Sequence, residues 1–163
     1  MEMHGELRIP APRAEVWAKL NDPETLKTCI PGCETVDKIS ETEFTAKVVA
    51  RVGPVKATFA GKVTLTDLDP PSSYTISGEG TGGVAGFAKG SAKVSLDDAG
   101  AETVLRYGVQ AQVGGKLAQI GSRLIDATSR KMADEFFGRF VGAMSPAEAD
   151  ASTSAAETAP NPS

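Results

Sequence analysis

FTAKVVARVGPVKATFAGKVTL, residues 44–65, decides the fold class. Phe44, Ala46, Val48, Ala50 and Val52 alternate with Thr45, Lys47, Val49 and Arg51. After Gly53-Pro54 the alternation resumes, with Val55, Ala57, Phe59, Gly61, Val63 and Leu65 set against Lys56, Thr58, Ala60, Lys62 and Thr64. A period of two sends the two sets to opposite faces of a pleated strand. Two such runs around a Gly-Pro turn predict an antiparallel hairpin with one apolar and one wet face.

The same period continues on both sides. Upstream, Glu34–Ile39 reads as a strand ending in the Glu41-Thr42 turn. Downstream, Asp69-Pro70-Pro71-Ser72 is a turn, and Tyr74, Ile76, Gly78 and Gly80 share a face. Phe87–Leu96 follows as a strand, Asp97–Ala101 as a turn, and Leu105, Tyr107, Val109, Ala111 and Val113 line the last strand. At the start of the chain, His4–Ile9 is a strand ended by Pro10 and Pro12. Val16, Trp17 and Leu20 then mark a short amphipathic helix over Arg13–Leu20. Asp22-Pro23-Glu24 opens a second helix to about Cys29, which Pro31-Gly32 stops. Beyond Gly114-Gly115, Leu117, Ile120, Gly121, Leu124, Thr128, Met132, Phe136 and Phe140 recur at helical spacing. The predicted class is α+β: a curved seven-stranded antiparallel sheet around a long C-terminal helix, with two short helices after the first strand.

Composition bounds the function. The 163 residues carry 17 basic and 21 acidic side chains, a net charge of -4 with no basic run, which argues against nucleic acid as a partner. Residues 1–142 are expected to form one domain, and 143–163, rich in Ala, Ser and Pro, a disordered tail. The N-terminal MEMHGELRIP lacks the apolar core of a signal peptide, and no apolar run reaches the length of a membrane span. A cytoplasmic location is expected, with any membrane contact peripheral. Cys29 and Cys33 read as packed free thiols, with a redox disulfide as the alternative. His4 is the single histidine, so no tetrahedral metal set can be assembled. No Ser-His-Asp or Cys-His arrangement is readable, and no catalytic residue is assigned.

The apolar sheet face mixes Phe59, Tyr74, Ile76 and Tyr107 with Ala57, Gly61, Gly78 and Ala111. Small residues facing a helix leave either close packing or a void. A void with a few hydroxyls is the usual form of a small-molecule site. The expected lining is Phe59, Tyr74, Ile76, Phe87, Tyr107, Leu124, Thr128, Met132 and Phe136. The run GEGTGGVAGFAKG, residues 78–90, contains G-x-G-x-x-G, but a strand follows where a dinucleotide site needs a helix. It reads instead as a hairpin whose backbone can pass close to a ligand. The helix cations Lys116, Arg123 and Arg130 could dock anionic lipid or a partner, or form a solvated face paired with Asp126 and Asp134.

Three segments carry a family resemblance: IPAPRAEVWAKLNDPETLKTCIPGCE (9–34), GPVKATFAGKV (53–63) and GTGGVAGFAKGSA (80–92). The chain resembles the carbon monoxide dehydrogenase G-subunit family, within the START-like, Bet v 1-like helix-grip (SRPBCC) superfamily. The resemblance implies a non-catalytic accessory protein of a molybdenum-containing carbon monoxide dehydrogenase or a related hydroxylase. It also implies a link to the cytoplasmic membrane and a lipoquinone, menaquinone or ubiquinone, held in the cavity without covalent attachment. Some relatives end in a membrane-binding extension, whereas this chain ends in a polar, acidic stretch. The competing readings are an enzyme of the cyclase or hydrolase kind and a pure interaction module with a filled core.

Overall fold

The computed structural model describes residues 1–144, so the expected tail from residue 145 onward lies outside the described residues. β1 (Glu2–Ile9) leads into α1 (Arg13–Leu20) and α2 (Pro23–Cys29). Six strands follow: β2 (Cys33–Ser40), β3 (Glu43–Val52), β4 (Val55–Asp69), β5 (Ser73–Thr81), β6 (Phe87–Ala99) and β7 (Glu102–Gly114). A one-turn α3 (Lys116–Gln119) and a 23-residue α4 (Ser122–Met144) complete the fold. The seven strands form one sheet in the order β1-β7-β6-β5-β4-β3-β2, antiparallel throughout. The seven-stranded antiparallel architecture expected from the sequence is therefore the one observed.

The helical prediction needs two corrections. The spacing after Gly115 predicts one continuous helix, but Gly121 takes φ +101° and separates α3 from α4. A side chain strongly resists that backbone conformation, so glycine makes the break. The helix also continues through Met144, two residues past the expected boundary, because the Met144 side chain is buried in the core.

Register fixes which residues share the inner face, the one turned toward α4. Met3 pairs with Val109, Leu7 with Leu105 and Ile9 with Thr103. Leu105 pairs with Leu96, Tyr107 with Val94, and Val94 with Tyr74. Ile76 pairs with Leu65 and Val63 with Phe44. The packed core lies at one end of this face. Ile9, Val16, Leu20, Cys29, Phe44, Leu65, Leu96, Leu105, Phe140 and Met144 are buried there, drawn from α1, α2, five strands and the end of α4. Thr103 is the buried polar residue of this region, and its hydroxyl donates to the Ala11 carbonyl at 2.7 Å. That bond offsets the desolvation an unpaired hydroxyl would suffer.

Candidate functional site

Side-chain size falls along three strands of the inner face, β5, β6 and β7, in the same spatial direction. In β5, Tyr74 and Ile76 give way to Gly78 and Gly80. In β6, Leu96 and Val94 lie at the packed end, and Ala92, Gly90 and Ala88 at the other. In β7, Leu105 and Tyr107 are followed by Val109 and Ala111. Successive strands run in opposite directions, so the size order reverses from strand to strand in the sequence and aligns in space. α4 repeats it: Leu124, Thr128 and Met132 precede Phe136, Phe137, Phe140 and Met144.

At the large-residue end the inner face is closed. Tyr74 is 4% exposed and meets the Trp17 ring edge-on, with centroids 5.0 Å apart. On α4, Phe136 meets Phe137 edge-on at 5.0 Å and stacks on Phe140 at 6.0 Å, and Phe137 stacks on Tyr107 at 5.0 Å. At the other end the inner face stays half-exposed beneath α4. Val52, Val55, Ala57, Phe59, Ala88, Ala111, Val113, Thr128 and Met132 all keep accessible surface although most are apolar. Small side chains cannot reach across to the helix, so water-accessible space remains where a filled core would have none.

Three turns border this open end. The β3–β4 turn carries Gly53 at φ +57°, and a Cβ there would meet Leu124 of α4 at 2.5 Å and Ile120 at 3.7 Å. The β5–β6 connection contains a 3-10 turn (Gly83–Ala85) that packs on the β7–α3 turn. A Cβ on Gly115 would lie 2.7 Å from the Gly86 Cα, and Ala85 and Leu117 are buried at this junction. Gly86 and Gly90 thus serve close backbone approach, each lying against a backbone oxygen of β7. The 3-10 turn inside the run is a local feature that strand periodicity could not reveal.

The nine expected lining residues divide accordingly. Phe59, Thr128 and Met132 sit on the half-exposed inner surface, and Leu124 stands at its border, 39% exposed. Tyr107 is half-buried between the two regions. Ile76 and Phe136 pack against the closed core, and Tyr74 is part of it. Phe87 is a correction: it pairs with Gly114 and Thr81, one residue out of phase with Ala88, and so points to the outer face. Its ring covers Gly114 there and is 42% exposed. Residues that the expected lining omitted, Ala57, Ala88, Ala111, Val52 and Val113, share the half-exposed inner surface. Their signal was parity with Phe59 and Tyr107.

A cleft of about 580 Å³ opens sideways between β1 and α4, lined by Met3, Gly5, Leu7, Tyr107, Phe137 and Val141, with Arg130 and Asp134 at its lip. The Tyr107 phenol lies directly over Gly5, where any Cβ would collide with it. Burial, and next the Asp134 carboxylate, push the Tyr107 phenol above its ordinary value, while Arg130 opposes them. Burial alone drives the Tyr74 phenol far upward. Arg130 therefore stands at the side cleft, apart from the β3–β4 turn that Leu124 touches. A surface hollow of about 760 Å³ lies on the outer face among Lys62, Ser77, Glu79, Lys89, Gln110 and Gln112. It is open and polar, and suits water better than an apolar guest.

Besides the two tyrosines, the register puts Lys38, opposite Phe44 with its ammonium 5.7 Å from that ring's centre, and Cys33, opposite Val48, on the inner face. Among the described residues no group of three or more His, Cys, Asp or Glu could hold a metal ion, and no helix is long and apolar enough to cross a membrane. Burial raises the Cys29 and Cys33 thiols above their ordinary value, which disfavours the reactive thiolate.

The family model for the carbon monoxide dehydrogenase G-subunit (CoxG) matches residues 5–144. No curated protein matches the chain by sequence. Among solved structures, a conserved protein from Geobacillus kaustophilus is 29% identical with a TM-score of 0.83, over 90% of this chain and 97% of that one. A START superfamily protein from Mycobacterium smegmatis aligns with a TM-score of 0.67 at 10% identity, over 88% and 96% of the two chains. The Zhui aromatase/cyclase from Streptomyces aligns with a TM-score of 0.65 at 14% identity, over 94% and 99%. At these last two identities the likeness is one of fold.

Proposed function

Because this chain belongs to the carbon monoxide dehydrogenase G-subunit (CoxG) family, we propose that it is a non-catalytic carrier serving a molybdenum-containing carbon monoxide dehydrogenase or a related hydroxylase. Its cargo is an apolar small molecule of the lipoquinone class, taken up beneath α4 and moved between the membrane and the enzyme. The observation that carries this reading is the aligned loss of side-chain volume, which leaves Phe59, Ala57, Ala88, Ala111, Thr128 and Met132 around an uncovered apolar surface. Burying roughly 200 Å² of isoprenoid surface there contributes about 5 kcal/mol. In this reading the Thr128 hydroxyl orients a quinone ring, which accepts hydrogen bonds but donates none.

The test is the cargo itself. Protein purified from its native host, extracted with organic solvent and examined by mass spectrometry, is expected to yield a quinone in near-stoichiometric amount. A chain that is reproducibly empty and ignores added menaquinone or ubiquinone would overturn the reading. Copurification of molybdenum hydroxylase components with the tagged chain tests the partner.

An enzyme of the cyclase kind is the second reading, since an aromatase/cyclase shares the fold. It needs an acid or base facing the substrate. The inner face offers Tyr107, with its proton held more tightly than usual, which favours holding a ligand over proton transfer near neutral pH.

A further inference from the structure

The two edges of the sheet are finished differently. β2, at one edge, breaks register against β3 twice, between Cys33 and Thr35 and between Lys38 and Ser40, and α2 packs against it. Such irregularities keep an edge from recruiting another strand. β1, at the other edge, pairs with β7 in unbroken register from Glu2 to Ile9 and contains no proline. Among the described residues no strand covers its outer side. Met1 and Ala111 exchange two hydrogen bonds, at 3.0 Å from the Met1 nitrogen and 2.9 Å from the Ala111 nitrogen. Antiparallel pairing repeats such pairs at every second residue, so Met3, Gly5 and Leu7 also turn their N–H and C=O groups toward β7. The N–H and C=O groups of Glu2, His4, Glu6 and Arg8 therefore face outward.

The side chains of these four residues are exposed, and their order is self-complementary. Residues with outward backbone groups must supply the hydrogen-bonded pairs of any antiparallel partner, so two β1 strands that overlap over most of their length have few registers open to them. Centring the pair on His4 sets Glu2 against the partner's Glu6, and centring it on Glu6 sets the two Glu6 carboxylates together. Both registers oppose like charges, which repel. Centring on Gly5 sets Glu2 against the partner's Arg8 and His4 against the partner's Glu6, on both sides of the two-fold axis. The same register lays Met3 beside the partner's Leu7 on the inner face. Gly5 sits on the axis, where it brings no side chain. Arg8 is already held by Glu102 at 3.1 Å and Glu6 by Arg106 at 2.9 Å, so each new pair extends an existing chain of charges.

We infer that β1 is a dimerisation edge: two copies of this chain pair antiparallel through residues 2–8, about a two-fold axis at Gly5, and join their seven-stranded sheets into one. The partner's strand closes the outward side of the cleft between β1 and α4 and covers the half-buried Leu7. Because the paired strands run in opposite directions, the open end of one copy lies beside the packed end of the other. Neither copy then covers the other's half-exposed inner surface. The dimer requires no cargo, so it stands or falls independently of the carrier reading.

Analytical ultracentrifugation of the full chain, over a dilution series from millimolar to micromolar, tests the edge. Wild type is expected at twice the chain mass at the top of the series and should dissociate on dilution. The His4 N–H faces away from β7, so His4→Pro keeps the ladder within the chain and removes two backbone bonds between copies. It should weaken the dimer about 100-fold. Arg8→Glu and Glu2→Arg should each weaken it about tenfold. The double variant Glu2→Arg/Arg8→Glu again opposes unlike charges and should return to within about threefold of wild type. Lys47→Glu, on β3, should dimerise as wild type. Circular dichroism checks that each variant is folded; if His4→Pro is not, the charge variants decide alone. A monomer at every concentration would overturn the dimer edge. So would a dimer that folded His4→Pro leaves intact, which puts the contact elsewhere. A double variant no stronger than the two single variants would overturn the Gly5-centred register.

Discussion

The two ends of the inner sheet face are built from the same strands and differ in one property, side-chain volume. At one end Phe44, Leu65, Tyr74, Val94, Leu96 and Leu105 are each no more than 8% exposed. At the other, Ala57, Ala88, Ala111 and their neighbours on identical strands remain half-exposed. The first end meets α1, α2 and the phenylalanines of α4 and supplies the cohesion of the domain. The second contributes little packing and leaves room. A fold that must be stable and also hold a guest can divide the tasks by length along the strand, with stability localised at one end.

The largest break in this contrast should come from Phe140→Ala, which opens a cavity at the fully buried centre of the packed end. A loss of about 3–5 kcal/mol is expected, read as a lowered urea midpoint. The two tyrosines, the only two in the chain, sharpen the contrast through pH. Both phenols are held above the ordinary value of about 10, chiefly by burial. Above about pH 10 the unfolded chain has released protons that the folded chain keeps, so stability is intact below that pH and falls as pH rises toward the folded values. Ultraviolet titration should show Tyr107 ionising first and Tyr74 only as the chain unfolds, and Tyr74→Phe should flatten the alkaline decline.

Filling the open end should cost far less than emptying the packed end. Ala57→Leu with Ala111→Leu adds apolar volume to uncovered space, so stability should change by less than about 1.5 kcal/mol. Quinone binding, followed by native mass spectrometry, should nevertheless be lost. If the double variant unfolds the protein, the space was already occupied and the contrast fails. Leu124→Ser, at an exposed border position, should shift stability by no more than about 0.5 kcal/mol.

Much of this is legible in the residues. α1 and α2 fall where the Val16-Trp17-Leu20 spacing and the Asp-Pro-Glu start place them, because those signals are local. The six consecutive strands from β2 to β7 follow the period-two pattern between polar turns. The failures have separate causes. Phe87 is expected in the lining, although alternation back from Leu96 and Val94 along the unbroken β6 puts Ala88, not Phe87, on the inner face. Tyr74, expected to face a guest, instead meets Trp17, a partner 57 positions away in the chain. Val52, Ala88, Ala111 and Val113 escape a reading by residue type because small apolar residues announce nothing singly.

By itself the sequence determined which residues share a face, since pleat and helix periods are properties of a few consecutive residues. Only the tertiary structure decided which end of that face is covered. Coverage depends on where α1, α2 and the Phe136–Met144 turns of α4 come to rest, and those contacts join segments that no local period connects.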